Sequence, residues 1–81
     1  MNREEILDKV KYIFVEELEI DEDALVPEAR LKEDLGVDSL DFVDVVVFVQ
    51  EHFGIKLNSA DFAGVRTFSE LCNLLEVKIN G

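Results

Sequence analysis

Near the start of the chain, Ile6, Leu7, Val10, Ile13, Phe14 and Leu18 recur at spacings of three and four. That stripe predicts an amphipathic helix over about residues 3–18. Glu4, Glu5 and Asp8 lie near its beginning, where carboxylates complement the helix dipole. From about residue 19 to residue 38 the periodicity fades. Pro27 disfavours a helical conformation at Val26, and Gly36 supplies a turn position. Leu25, Val26, Leu31 and Leu35 still give this stretch something to bury. A connection of about 20 residues is long for a small domain, and long ordered loops tend to have a job.

Ser39 to Phe53 supports two readings. By propensity alone, Val45-Val46-Val47-Phe48-Val49 is a buried strand. By pattern, Leu40, Val43, Val46, Val47 and Phe53 mark one helical face, and Asp41, Asp44 and Glu51 mark another. The length and the punctuation favour a helix. Asp38 is placed to cap it, Asp41 follows three residues later in the manner of a capping box, and Gly54 provides the stop. Asn58-Ser59 can start a short helical turn ending near Ala63. Thr67-x-x-Glu70 is a second capping box, opening a helix from about Phe68 to Val77 with Leu71, Leu74 and Leu75 on its stripe. No repeat, low-complexity tract or linker divides residues 1–81. The expectation is one all-α domain, a small bundle of three main helices plus one short helix.

Composition narrows the function. Apolar residues make up 48% of the 81, enough to fold. A chain this short has a thin core, which argues against a self-contained enzyme with a deep cleft. There are 8 Lys and Arg against 19 Asp and Glu, a net charge of −11. Such a surface repels nucleic acid and anionic lipid and favours partners carrying a basic patch. The single Cys72 cannot form an internal disulfide. The start of the chain shows no secretory signal. The longest apolar run, Val45 to Val49, falls far short of the ~20 residues that span a bilayer. A cytoplasmic protein is expected.

Most candidate chemistry fails on spacing. Asp21-Glu22-Asp23 opens like a calcium loop, but Val26 stands at the sixth position and Lys32 at the twelfth, where glycine and glutamate are required. One Cys and one His cannot fill a tetrahedral zinc site. On one helix, Ser39 and His52 would lie about 20 Å apart, too far for a nucleophile–base pair. Cys72 falls within an apolar stripe and reads as a core residue. No catalytic constellation and no metal site can be assembled. What remains is Asp34-Leu35-Gly36-Val37-Asp38-Ser39-Leu40-Asp41. It sets a serine on the first turn of a helix, after a glycine-marked turn and between two carboxylates. The helix end is hospitable to a phosphate attached there, and the carboxylates suit a transient divalent ion. The plainer alternative is that Ser39 only begins a helix.

That octapeptide resembles the attachment motif of acyl carrier proteins. The helix order, the long loop, the acidic second helix and the overall length correspond as well, so the resemblance covers essentially the whole chain. It implies that a phosphopantetheinyl transferase, assisted by magnesium, moves 4′-phosphopantetheine from coenzyme A onto Ser39, beside Asp38. The terminal thiol of the arm would carry acyl groups as thioesters to successive acyl-transfer and condensing enzymes, as in fatty acid biosynthesis. The carrier itself would catalyse nothing and would be a monomer. The resemblance implies a recognition helix whose Asp38, Asp41, Asp44 and Glu51 meet basic patches, with Leu40 and Val43 as apolar contacts beside the arm. The charge of −11 fits weak, salt-sensitive docking. An unmodified acidic helical module binding a basic partner is the alternative.

Phe42 and Phe48 depart from the family pattern, as does the weakly acidic Asn58-Ser59-Ala60-Asp61 turn. Either the two aromatics add an apolar spot to the docking face, Phe48 on the line of Asp41, Asp44 and Glu51, or they pack against the loop or short helix. The first case would suit a dedicated polyketide, nonribosomal peptide or unusual-lipid pathway. The resemblance also implies that acyl chains can slip between the helices; Leu40, Val43, Val47 and Phe68 are candidate lining for such a chamber, or equally residues of an ordinary core.

Overall fold

A computed structural model describes residues 2–80, apart from the side chains of Ser39 and Ser59. Asn2 caps α1 (Arg3–Tyr12): its side chain accepts the Glu5 N–H at 2.8 Å, and the Glu5 carboxylate accepts the Asn2 N–H at 3.3 Å. The helix runs directly into a π-helical turn, Ile13–Glu17, in which Ile13 and Phe14 are fully buried. The turn closes with Leu18 N–H donating to Ile13 O and Ile20 N–H to Phe14 O. Glu19 takes the left-handed conformation (φ 55°) that such an exit requires and that glycine usually supplies. The expected helix therefore forms with its last turn widened.

The 19–38 connection is ordered by hydrogen bonds and by five buried side chains. Leu25, Ala29, Leu31, Leu35 and Val37 all enter the core. Val26, expected to be buried with them, is 45% exposed. Asp21 caps a short 3-10 turn, Glu22–Ala24, which the apolar pattern did not announce. Further on, Arg30 and Thr67 form an isolated antiparallel bridge, and Leu31 N–H donates to Arg66 O at 2.9 Å. This couples the loop to the start of α3 (Phe68–Asn80). No strand forms among the described residues, so the Val45–Val49 run is helical rather than extended.

That run lies in α2 (Ser39–Phe53), which starts and ends at the expected residues. Its buried face differs from the sequence reading. Val45 and Val49 are buried, and Phe42, Val46, Phe48 and Phe53 pack partly against the core. Leu40, Val43 and Val47 are 79%, 61% and 42% exposed. Nine of the 15 residues of α2 are apolar, so the pattern alone fixes no unique inward face. The neighbours decide instead: Phe42 meets Phe62 edge-on, with ring centroids 5.5 Å apart. Leu40, Val43 and Val47 therefore do not line an internal acyl chamber, and only Phe68 of that expected set is buried.

Gly54 ends α2 in the left-handed region (φ 65°), with its N–H bonded to Gln50 O. A Cβ there would meet nothing within 4 Å, so a side chain costs only backbone strain. Gly54→Ala is expected to destabilise by about 1 kcal/mol, lowering the melting midpoint by about 4–8 °C. An unchanged midpoint would show that α2 can end without this conformation. Asn58 caps the short 3-10 turn Ser59–Phe62. The Thr67 hydroxyl accepts the Glu70 N–H at 3.2 Å and the Glu70 carboxylate accepts the Thr67 N–H at 3.1 Å, so α3 opens on its capping box. It continues past the expected Val77 to Asn80, where Lys78 pairs with Asp61 at 3.2 Å and Ile79 packs against the core.

Candidate functional site

The octapeptide at residues 34–41 is held at both ends. At the first, the Asp34 carboxylate accepts the Arg30 backbone N–H at 2.8 Å and the Arg30 guanidinium at 3.3 and 3.4 Å. Those bonds hold the Asp34 carboxyl below the usual carboxylate range, the backbone donor contributing most. Asp34 thus ties the loop through Arg30. Leu35 and Val37 are buried, Val37 N–H donates to Leu31 O at 2.8 Å, and Gly36 between them takes φ 70°. The chain needs the left-handed conformation there to turn from the anchored loop into α2.

At the second end, Asp38 Oδ1 accepts the Leu40 and Asp41 N–H groups, each at 2.9 Å. Asp41 Oδ2 reaches back to the Asp38 N–H at 3.5 Å, completing the box. Ser39 is the first residue of α2; its side chain lies outside the described residues. Its backbone position is therefore fixed by Asp38 and Asp41. Each of these carboxylates spends one oxygen in the box. No group of three or more His, Cys, Asp or Glu among the described residues could hold a metal ion.

From this start, α2 presents Leu40, Val43 and Val47 at positions i, i+3 and i+7, flanked by exposed Asp44 and Glu51 and half-buried Asp41. The result is an aliphatic ridge edged by carboxylates. Phe48, expected on this face, is half-buried and packed against the core, and Phe42 does the same, so the apolar spot is aliphatic. Val47 belongs to the ridge but was assigned to the inner face; its spacing from Leu40 and Val43 carried the signal.

A groove of about 510 Å³ opens beside Asp38. Phe42 and Val65 give it an apolar wall, and Arg30, Lys32 and Arg66 bring three of the chain's eight cations to it. No motif announced this groove, because it depends on the pairing of the 30–31 and 66–67 backbones. The other sequence candidates take plainer roles. His52 is half-buried, edge-on to Tyr12, and its carbonyl accepts a bond from Lys9 Nζ. Cys72 is fully buried, and burial pushes its thiol pKa up, away from thiolate chemistry. No described helix is long and apolar enough to cross a membrane.

Comparison with known proteins gives consistent matches. A family model described as a phosphopantetheine attachment site matches residues 8–75. An acyl carrier protein of Thermotoga maritima is 42% identical over 78 residues, covering 96% of both chains. One from Thermosynechococcus vestitus is 35% identical over 79 residues, covering 98% of both. Among solved structures, an acyl carrier protein from Thermotoga maritima superposes with a TM-score of 0.83 at 26% identity, over 99% of this chain and 93% of the other.

Proposed function

The chain belongs to the acyl carrier protein family, and on that premise we propose that Ser39 takes its 4′-phosphopantetheine arm and that the protein delivers acyl thioesters to enzymes. The supporting observation is the backbone at the start of α2. Ser39 follows a turn anchored by Leu35 and Val37, and Asp38 and Asp41 hold its helix position from either side. The residues present fit the group: a serine at a fixed helix start, beside a groove with apolar and cationic lining. When bound, the arm supplies a terminal thiol that holds acyl groups as thioesters; the chain's own residues place and present it.

In the loading step the Ser39 oxygen bonds to the phosphorus of coenzyme A that bears the pantetheine. The pyrophosphate P–O bond breaks, adenosine 3′,5′-bisphosphate leaves, and the serine proton passes to a base of the transferase. Asp38 and Asp41 are too few to hold a divalent ion alone, so magnesium would be shared with the transferase. The test is intact mass before and after incubation with a phosphopantetheinyl transferase, coenzyme A and magnesium. A gain of one phosphopantetheine is expected. No gain with transferases of several specificities would leave the unmodified interaction module as the reading.

The ridge of Leu40, Val43 and Val47 with Asp44 and Glu51 is the proposed docking face for transferase, acyl-transfer and condensing enzymes bearing basic patches. Phe42 and Phe48 pack partly against the core, so the weakly acidic turn at 58–61 is the remaining support for a dedicated polyketide, nonribosomal peptide or unusual-lipid pathway. Val43→Asp and Asp44→Lys sit on exposed positions, so each should change stability by no more than about 0.5 kcal/mol. Each is expected to lower the transferase's kcat/KM by about ten-fold. The Asp44→Lys effect should shrink as salt rises. Unchanged kinetics in both variants would move the docking face elsewhere.

A further inference from the structure

The groove beside Asp38 gathers three cations, Arg30, Lys32 and Arg66, with two carboxylates, Glu33 and Asp38, on a chain whose net charge is −11. Its cations differ in how they are engaged. Arg30 is spent on its own loop, bonded to Asp34 and 3.9 Å from Glu33. Lys32 and Arg66 are exposed, and among the described residues neither side chain has a hydrogen-bond or ion-pair partner. They come together through the backbone. Leu31 N–H donates to Arg66 O, and Arg30 pairs antiparallel with Thr67, so residues 30–31 and 66–67 lie side by side. Leu31 is buried, and Lys32, in the turn that follows the bridge, is exposed and lines the groove together with Arg66.

We infer that Lys32 and Arg66 are positioning residues that hold the phosphodiester of the arm at the mouth of this groove, with the adjoining apolar segment of the arm against Phe42 and Val65. This rests on the proposed attachment at Ser39. A phosphodiester on Ser39 would carry a negative charge next to Asp38 and Asp41, in a chain already strongly acidic. Without counter-charge, like-charge repulsion pushes it into solvent. Asp38, which lines the groove, immediately precedes Ser39, so the backbone of the attachment residue is one peptide unit from the groove's wall. A guanidinium and an ammonium are the groups that recognise a phosphate oxygen. The neighbouring Phe42 and Val65 suit the branched methyl groups that follow the phosphate in pantetheine.

The experiment compares apo and holo protein by amide and phosphorus NMR, for the wild type, Lys32→Ala, Arg66→Ala and the double variant, with Arg66→Lys as the rescue. In the wild type, loading should shift the amides of Lys32, Phe42, Val65 and Arg66 as well as those beside Ser39. The phosphorus resonance should move toward that of the same phosphodiester in the urea-unfolded holo protein as salt rises. Each alanine substitution should lower the docked-to-free ratio of the arm by about two- to five-fold. Arg66→Lys should restore most of the loss. Both side chains are exposed and the Arg66 carbonyl that bonds Leu31 is kept, so apo spectra should otherwise stay unchanged. Shifts confined to residues 38–40 and identical in every variant would overturn the inference while leaving attachment intact. So would variants that slow loading but leave the holo spectra alone, since the cations would then serve the transferase. Failure of the wild type to gain mass would overturn the attachment itself and this inference with it.

Discussion

Ser39→Ala is expected to abolish the mass gain completely while leaving the helix in place. Alanine offers no oxygen to form the phosphodiester, and no neighbouring residue can take its place at the start of α2. The helix start does not depend on the serine, because the Leu40 and Asp41 N–H groups are both capped by Asp38. Alanine is also the best helix former. The melting midpoint should therefore move by no more than about 4 °C, the shift expected for a change within about 0.5 kcal/mol. Ser59 provides the internal control. It follows Asn58 at the start of a capped turn much as Ser39 follows Asp38, but the turn has only four residues and no aliphatic ridge after it. Ser59→Ala should load fully. A gain that survived Ser39→Ala and vanished in Ser59→Ala would move the arm to the other turn.

Much of this was legible in the sequence because helix ends are set by local chemistry. The Asp38–Asp41, Asn58–Asp61 and Thr67–Glu70 pairs are each separated by three residues, and each forms hydrogen bonds in both directions. A cap needs only its own neighbours, so spacing is sufficient. The same holds for Gly54, whose left-handed conformation follows from the end of an apolar run. The inward face of α2 was not legible. With Val45, Val46, Val47, Phe48 and Val49 consecutive, several rotations of the helix bury similar apolar area, and the choice rests on contacts such as Phe42 with Phe62. The ambiguity was consequential: it left Leu40 and Val43 as candidates both for a chamber and for recognition and Val47 for the chamber alone, whereas all three are exposed on the ridge we propose for docking.

The site divides in the same way. The proposed attachment serine and its caps sit within eight consecutive residues, and a motif reads them directly. The groove that we assign to the phosphodiester joins Lys32 to Arg66 across more than thirty residues, through one backbone hydrogen bond and one antiparallel bridge. Neither cation belongs to a periodic pattern, and isolated charges usually mark only solvated surface. The widened end of α1 was likewise invisible, because its left-handed exit falls on Glu19 and not on a glycine.

Phe14→Ala should produce the largest loss of stability. Phe14 is fully buried where the end of the first helix meets α3 and the start of the long loop. Its ring meets Phe68 edge-on with centroids 5.6 Å apart, and its carbonyl accepts the Ile20 N–H that leads into the long loop. Phe68 in turn donates its N–H to Ala29 O at 2.9 Å, so α1, the loop and α3 converge on this pair. Removing the ring costs about 3–5 kcal/mol in lost burial and residual cavity. A chain of this length is stable by only about 4–12 kcal/mol, so the variant gives up a large share of the total. A loss near 4 kcal/mol corresponds to a midpoint lowered by about 16–32 °C. Phe42→Ala, which removes a half-buried ring, should cost about half as much or less. Because Phe14 lies off the docking ridge and the groove, Phe14→Ala should load Ser39 normally well below its midpoint, with loading falling away in step with unfolding. Circular dichroism melts run beside intact-mass loading at two temperatures separate the cases. Loss of loading from a fully folded Phe14→Ala would mean that the α1–α3 junction shapes the attachment site directly and does not merely support it.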